Sequence, residues 1–351
     1  MSMTVRIRIV ALAAFVAVVG ASVALGAGQK EYAWQLTPTG STAGLRGLSA
    51  VSADVAWVSG SLGTVLRTTN RGATWQNVPP PGTSALQFRD IEAFDALNAV
   101  ILSIGNGTDS RVYVTSDGGA SWTQTFTNDD PNAFYDCMTF FDRKRGLALS
   151  DPVDGKFRII ATEDGGRSWR VVATDMPAAL PGEFAFAASG QCLVSAGGKD
   201  AWFATGGGAE ARVFHSDDGG TTWKVASTPI PSGPSAGIFA LAFRNPRHGL
   251  AVGGDFAAPT SAPDAVALSD DAGATWRLAA DPPGEYRSGA HWVTGREVIA
   301  VGPTGSDVSY DRGNTWVRFD DGSFDTVDCA DGRACWASGT QGRVAYLIRS
   351  R

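Results

Sequence analysis

Histidine is nearly absent from this chain, with three in 351 residues. His215, His248 and His291 stand far apart in sequence, without the recurring spacing that a histidine-built metal centre needs. Each is expected to be a surface or packing residue, and no metal site is assigned. The four cysteines include no Cys-x-x-Cys pair. No glycine-rich loop follows a strand and opens a helix in the manner of a dinucleotide site, and "GGG" at 206–208 reads as an ordinary loop. Redox chemistry therefore lacks its usual signatures, and no cofactor is expected. Positive charge is also in short supply: 29 Lys and Arg face 35 Asp and Glu, a net of −6, which disfavours nonspecific nucleic-acid binding. Beyond the first thirty residues no stretch resembles a membrane span, and few carry helical periodicity.

Those first residues, "MSMTVRIRIVALAAFVAVVGASVALGAGQ", carry Arg6 and Arg8 ahead of an apolar run, with small residues at 24–27 that suit a signal peptidase. Residues 1–27 are read as a signal peptide, giving a periplasmic or secreted protein. The alternative is an uncleaved anchor, because the run approaches bilayer length. Any membrane contact is expected through this segment alone, and the mature chain is expected to be a monomer. Four cysteines suit an oxidising compartment. Cys329 and Cys335 flank a short turn and can bridge a hairpin, while Cys137 and Cys192 fall at comparable places in consecutive repeats. Four cysteines permit three connectivities, among which the sequence does not choose.

What the chain does have is glycine, tryptophan and a repeat. Short apolar runs punctuated by Gly, Pro, Asn and Asp, in a sequence with 43 glycines and 44% hydrophobic residues, read as all-β. The stretch "HSDDGGTTW" at 215–223 looks at first like a catalytic or calcium-binding loop. The same pattern (Ser/Thr, any residue, Asp/Asn, any residue, Gly, any residue, Ser/Thr, Trp) recurs at 68–75, 115–122, 162–169, 269–276 and 309–316. Its acidic or amide positions are Asn70, Asp117, Asp164, Asp218, Asp271 and Asp311. Its tryptophans are Trp75, Trp122, Trp169, Trp223, Trp276 and Trp316. Six copies argue for a structural turn over a reagent: Asp or Asn folds onto backbone N–H groups, and glycine accepts positive φ. The EF-hand ligand set is lacking.

Spacing between boxes is that of propeller blades. The first unit reads as strands at Gly47–Val51, Val55–Ser59, Thr64–Thr68 and Thr74–Val78. After Trp316 the chain supplies three strands and no fourth, whereas "YAWQLTP" at 32–38 resembles a fourth strand without its turn. The expectation is a seven-bladed β-propeller of four-stranded blades over residues 31–351, the last blade closed by the N-terminal strand so that no edge stays open.

The six boxes resemble the Asp-box, or bacterial neuraminidase repeat. It is found in sialidases, some glycanases, sortilin-type receptors and the plant photosystem II stability/assembly factor family with its bacterial relatives. That resemblance implies turns between third and fourth strands, away from the functional face. Aligning the repeats puts Arg46 and Arg89 at equivalent inner-strand starts, with Asp90, Tyr135, Asp136, Gln191, Arg287, Ser288, Phe324 and Asp325 at or beside the same level. Asp151 and Asp154 lie in the loop after the second strand of blade three. Resemblance to the assembly-factor family implies a non-enzymatic scaffold whose rim, at Arg46, Arg89, Asp90, Tyr135, Asp136, Asp151, Arg287 and Asp325, binds a protein partner in the cell envelope. The other reading is a glycoside hydrolase or glycan-binding propeller. Arg46, Arg89 and Arg287 would then hold a substrate carboxylate, with Tyr135 as nucleophile and Asp136, Glu183 or Asp325 as acids. The sialidase pattern is departed from, since sialidases have six blades and an Arg-Ile-Pro type motif before the first box. A third possibility is a solvated mouth whose charges pair with one another.

Overall fold

The computed structural model describes residues 32–330 and 334–349; the leader lies outside them. Seven four-stranded antiparallel sheets are arranged as blades. Their innermost strands are, in order, Leu45–Ala50, Gln87–Ala93, Tyr135–Phe140, Leu193–Ala196, Ala236–Asn245, Gly289–Trp292 and Thr326–Ala330. Blade seven takes its outer strand, Tyr32–Leu36, from the N-terminus, paired antiparallel with Val344–Arg349 so that Trp34 lies opposite Leu347 and Leu36 opposite Ala345. The expected closure is thus present. Strand boundaries in blade one move by one or two residues from the sequence reading, and its fourth strand shortens to Gln76–Asn77. Trp75 is left at the end of the turn, and Val78 still donates to the Val65 carbonyl.

Each repeated turn joins a third to a fourth strand and is closed by its own side chains. In the copy at 216–223, the Ser216 hydroxyl donates to Asp218 Oδ1 at 2.9 Å. That carboxylate also accepts the Thr222 N–H at 2.9 Å and hydroxyl at 2.8 Å. Gly220, at φ +92°, donates its N–H to Ser216 Oγ, and a Cβ there would strike Leu147 of the neighbouring blade. Hydrogen bonds of this kind hold Asp117 down at about 2, chiefly through the Ser121 hydroxyl. Trp169, Trp223, Trp276 and Trp316 donate their indole N–H to the glycine carbonyl of their own turn. Trp122 reaches back to the Val78 carbonyl of blade one. The carboxylates therefore act as fasteners on the face opposite the starts of the inner strands.

Blade-to-blade packing forms the core. Trp57, Trp202 and Trp336 occupy equivalent, fully buried places on second strands. They donate across the seam to Asp95, Ala272 and Ser52 carbonyls of the next blade. Cys137 and Cys192 are bonded, joining the inner strand of blade three to the residue just before that of blade four, and Cys329 is bonded to Cys335 between the first two strands of blade seven.

Candidate mouth of the central channel

The inner strands do not enter the channel smoothly. In blades one, two, three and five the pairing register slips by one residue near the strand start, and the residue passed over is Arg46, Arg89, Asp136 and Phe239 respectively. A bulge re-aims its unpaired side chain, here toward the channel axis, and it recurs at one level around the ring. Asp325, just before the inner strand of blade seven, joins the same level.

These residues line a cavity of about 580 Å³, together with Asp151 and a group of aromatic side chains. Arg46 approaches Asp325 at 3.8 Å and remains 35% exposed. Arg89 donates to the Ala187 carbonyl at 2.8 Å and to Gln87 at 2.9 Å. Burial, with Arg46 close by, draws Arg89 down to about 10. Asp136 is raised well above the carboxylate range by burial and by the Asp151 charge, against the pull of Arg89. Burial lifts Asp151 to about 7, although it accepts the Ala185 N–H at 2.9 Å. Asp325 is raised by burial despite both arginines. One oxygen on each of Asp136 and Asp325 is buried without a hydrogen-bond partner.

The channel does not run through. The segment Phe184–Gln191, preceding the short inner strand of blade four, crosses it. Arg89 of blade two holds its Ala187 carbonyl. Thr326 of blade seven donates to the Ser189 carbonyl at 3.1 Å. Gln191 donates to Ala290 and Val327 carbonyls at 3.1 and 2.9 Å and accepts the Ala290 N–H, tying blade four to blades six and seven. Gln191, expected at the rim, is a plug residue. Beyond it lies a second cavity of about 750 Å³ at the turn-bearing end, lined by Asp90, Glu92, Asp328 and His291 among others.

Several residues expected at the mouth lie elsewhere. Tyr135 and Arg287 fall one position before the channel-facing level, and a one-residue offset turns a side chain to the other face of its strand. Tyr135 packs edge-on to Phe126 inside the blade seam, and burial raises it to about 12. Arg287 is fully buried, with Nε donating to Asp307 at 2.7 Å and Nη1 to Thr304 and the Tyr286 carbonyl. Phe324, at the same offset, is core. Glu183 is sealed: it accepts from Arg212 Nε at 2.9 Å, Thr205 Oγ1 at 2.6 Å and the Leu180 N–H at 2.7 Å. Asp90 belongs to the opposite cavity, where it accepts the Met138 and Ile91 N–H groups. Ser288 donates to the Asp325 carbonyl. Asp154 forms a positive-φ turn at the outer tip of its hairpin. Arg46, Arg89, Asp136, Asp151 and Asp325 are thus brought together, whereas Asp90, Tyr135, Glu183 and Arg287 are not. The aromatic lining, which includes Phe184, Phe186, Phe239, Phe256 and Tyr286, was missed. The alternating phenylalanines of "FAFA" at 184–187, in a loop, were its one visible sign.

These features define a seven-bladed, terminally closed propeller with a plugged channel and a charged mouth at its inner-strand starts. No family model matches the chain, and neither does any curated protein. Among solved structures it is similar to YCF48 bound to D1 peptide, with a TM-score of 0.65, 16% identity and coverage of 90% of this chain and 94% of that one. It is also similar to YCF48 from Cyanidioschyzon merolae, at 0.64, 14%, 90% and 98% in the same order. The WD40 propeller domain of Doa1 gives 0.58, 12%, 91% and 98%. At such identities the likeness establishes the shared fold alone.

Proposed function

We propose that this chain is an exported, non-enzymatic propeller that captures a segment of a protein partner in the cell envelope through the Arg46–Arg89 mouth. The observation that carries this reading is a pair of neighbouring guanidiniums with almost no ion pairing, Arg46 partly open to solvent and Arg89 committed only to the neutral Ala187 carbonyl and Gln87 side chain. Among the described residues, their only ion pair within 4 Å is the long Arg46–Asp325 contact at 3.8 Å. An arginine pair in this setting suits a carboxylate or a run of backbone carbonyls. The likeness to a YCF48 structure that holds a peptide points the same way. The N-terminal segment supplies export, and the six fastened turns, read as Asp-boxes, keep the frame rigid.

A glycan reading has one observation in its favour: Asp136 and Asp151 share the mouth, and burial raises both. Asp325 shares the mouth too, but the remaining acid, Glu183, is buried in an ion pair with Arg212 and the nucleophile, Tyr135, is core. The two readings separate by capture and turnover. Immobilised protein is expected to retain an envelope protein that is lost with Arg46→Ala/Arg89→Ala and displaced by an acidic peptide. Turnover of a glycan, abolished by Asp136→Asn, would overturn the binding reading.

A further inference from the structure

The mouth has two unlike walls. Arg46 and Arg89 stand on blades one and two, whereas Phe186, Phe239, Phe256 and Tyr286 come from blades four, five and six across the ring. Phe186 and Phe239 stack at 3.9 Å with 18° between their planes, and Tyr286 meets Phe239 edge-on at 4.7 Å. Phe256, on the loop after the second strand of blade five, completes the cluster yet is 53% exposed. Closing the ring does not call for a half-bare phenylalanine above a stacked pair. Water gains nothing from it, but an apolar side chain entering the mouth would. Asp136, nearly fully buried, has one carboxylate oxygen without a hydrogen bond, and the inner oxygen of Asp325 at the same cavity has only the long 3.8 Å approach of Arg46. A peptide amide supplies both a donor and an acceptor for such groups, whichever protonation state they hold.

Resting on the partner-capture reading, we propose that the mouth recognises two neighbouring side chains of one extended segment: an acidic residue against Arg46 and Arg89, and an adjacent aromatic or large aliphatic residue against the Phe186–Phe239 wall. Successive side chains of an extended chain point to opposite sides. Residues i and i+1 therefore reach facing walls, whereas i and i+2 would crowd one. A volume of about 580 Å³ suits a short segment inserted into the mouth, within the usual range of ligand pockets.

The test is calorimetric titration of the intact protein with four end-blocked peptides in a Gly/Ser frame. These carry Asp-Phe adjacent, Asp and Phe separated by one residue, Asp-Ala, or Asn-Phe. The adjacent pair is expected to bind roughly tenfold more tightly than each of the others, the order of effect of burying one large apolar side chain. Phe256→Ser, at an exposed position, should remove that advantage and leave acid-dependent binding, and Phe239→Leu should weaken it. Equal affinity for Asp-Phe, the separated pair and Asp-Ala would overturn the two-wall inference while leaving partner capture standing. Absence of binding to all four would overturn both.

Discussion

Replacing Trp34 by Ala should cost the domain a large part of its stability, although the residue lies near the chain terminus and touches no ligand-facing surface. Its ring is buried against Phe319 and Phe324, and its indole N–H donates to Ser306 of blade six at 3.0 Å. Truncating a buried tryptophan costs about 3–5 kcal/mol, and the orphaned Ser306 hydroxyl adds about 1 kcal/mol. Against a typical domain stability of roughly 5–15 kcal/mol, that is a substantial share. Leu36, on the same strand, provides the control, because its side chain is 51% exposed and its loss should cost under about 1 kcal/mol. Deleting residues 32–38 should go further, since it also removes Tyr32, the Tyr32–Glu297 hydrogen bond and all pairing to Val344–Arg349, leaving that strand as a bare edge. Urea unfolding followed by tryptophan fluorescence, corrected for the lost fluorophore, and by far-UV circular dichroism reads these changes as midpoint shifts. Equal, small shifts for Trp34→Ala and Leu36→Ala would refute the argument that the terminal strand holds the ring together.

Other consequences are open to measurement. The Cys137–Cys192 bond closes a separation of 55 residues and Cys329–Cys335 one of 6, so chain entropy assigns them about 4 and about 2 kcal/mol. Paired Cys→Ala variants should lower the midpoint in that order, and the reverse order would contradict it. Burial, with Asp328 and Asp90 close by, lifts Glu92 to about 8 at the turn-bearing end of the channel. A carboxyl raised on folding stabilises fully below its unfolded value near 4.5, and that contribution fades as pH rises to about 8. Glu92→Gln should therefore flatten the stability profile between these limits and gain on the parent above pH 8, as seen in melting temperature against pH. Asp218→Ala removes the bonds to Thr221, Thr222 and Ser216 in an exposed turn. It should cost about 1 kcal/mol in thermal unfolding while peptide affinity stays unchanged.

The architecture was readable because it repeats: six turns of one chemistry fix the blade count, and "YAWQLTP" supplies the strand that blade seven lacks. The mouth was only half readable. Arg46 and Arg89 sit on bulges, which preserve their common level, so simple alignment found them. Arg287 and Tyr135 were misplaced because alignment does not show a one-residue offset, and in a strand that offset exchanges the channel for the seam. Glu183 appeared available until Arg212, 29 positions later, arrived as its partner through folding. The plug and the aromatic wall had no motif, since their meaning lies in where blade four departs from the repeat. Phe184–Gln191 takes the place of a regular strand entry and crosses the axis.

The central claim, that a protein segment enters the mouth between the arginines and the phenylalanines, is tested most directly by photo-crosslinking. A benzophenone side chain is placed at Phe256 in the mouth or at Leu97, an exposed residue in the first turn of blade two at the opposite end. The account predicts that irradiation in an envelope extract yields a defined protein adduct from position 256 alone. It further predicts that the adduct disappears with Arg46→Ala/Arg89→Ala and maps to a segment bearing an acidic residue. Equal adducts from both positions, or one indifferent to the arginines, would contradict it.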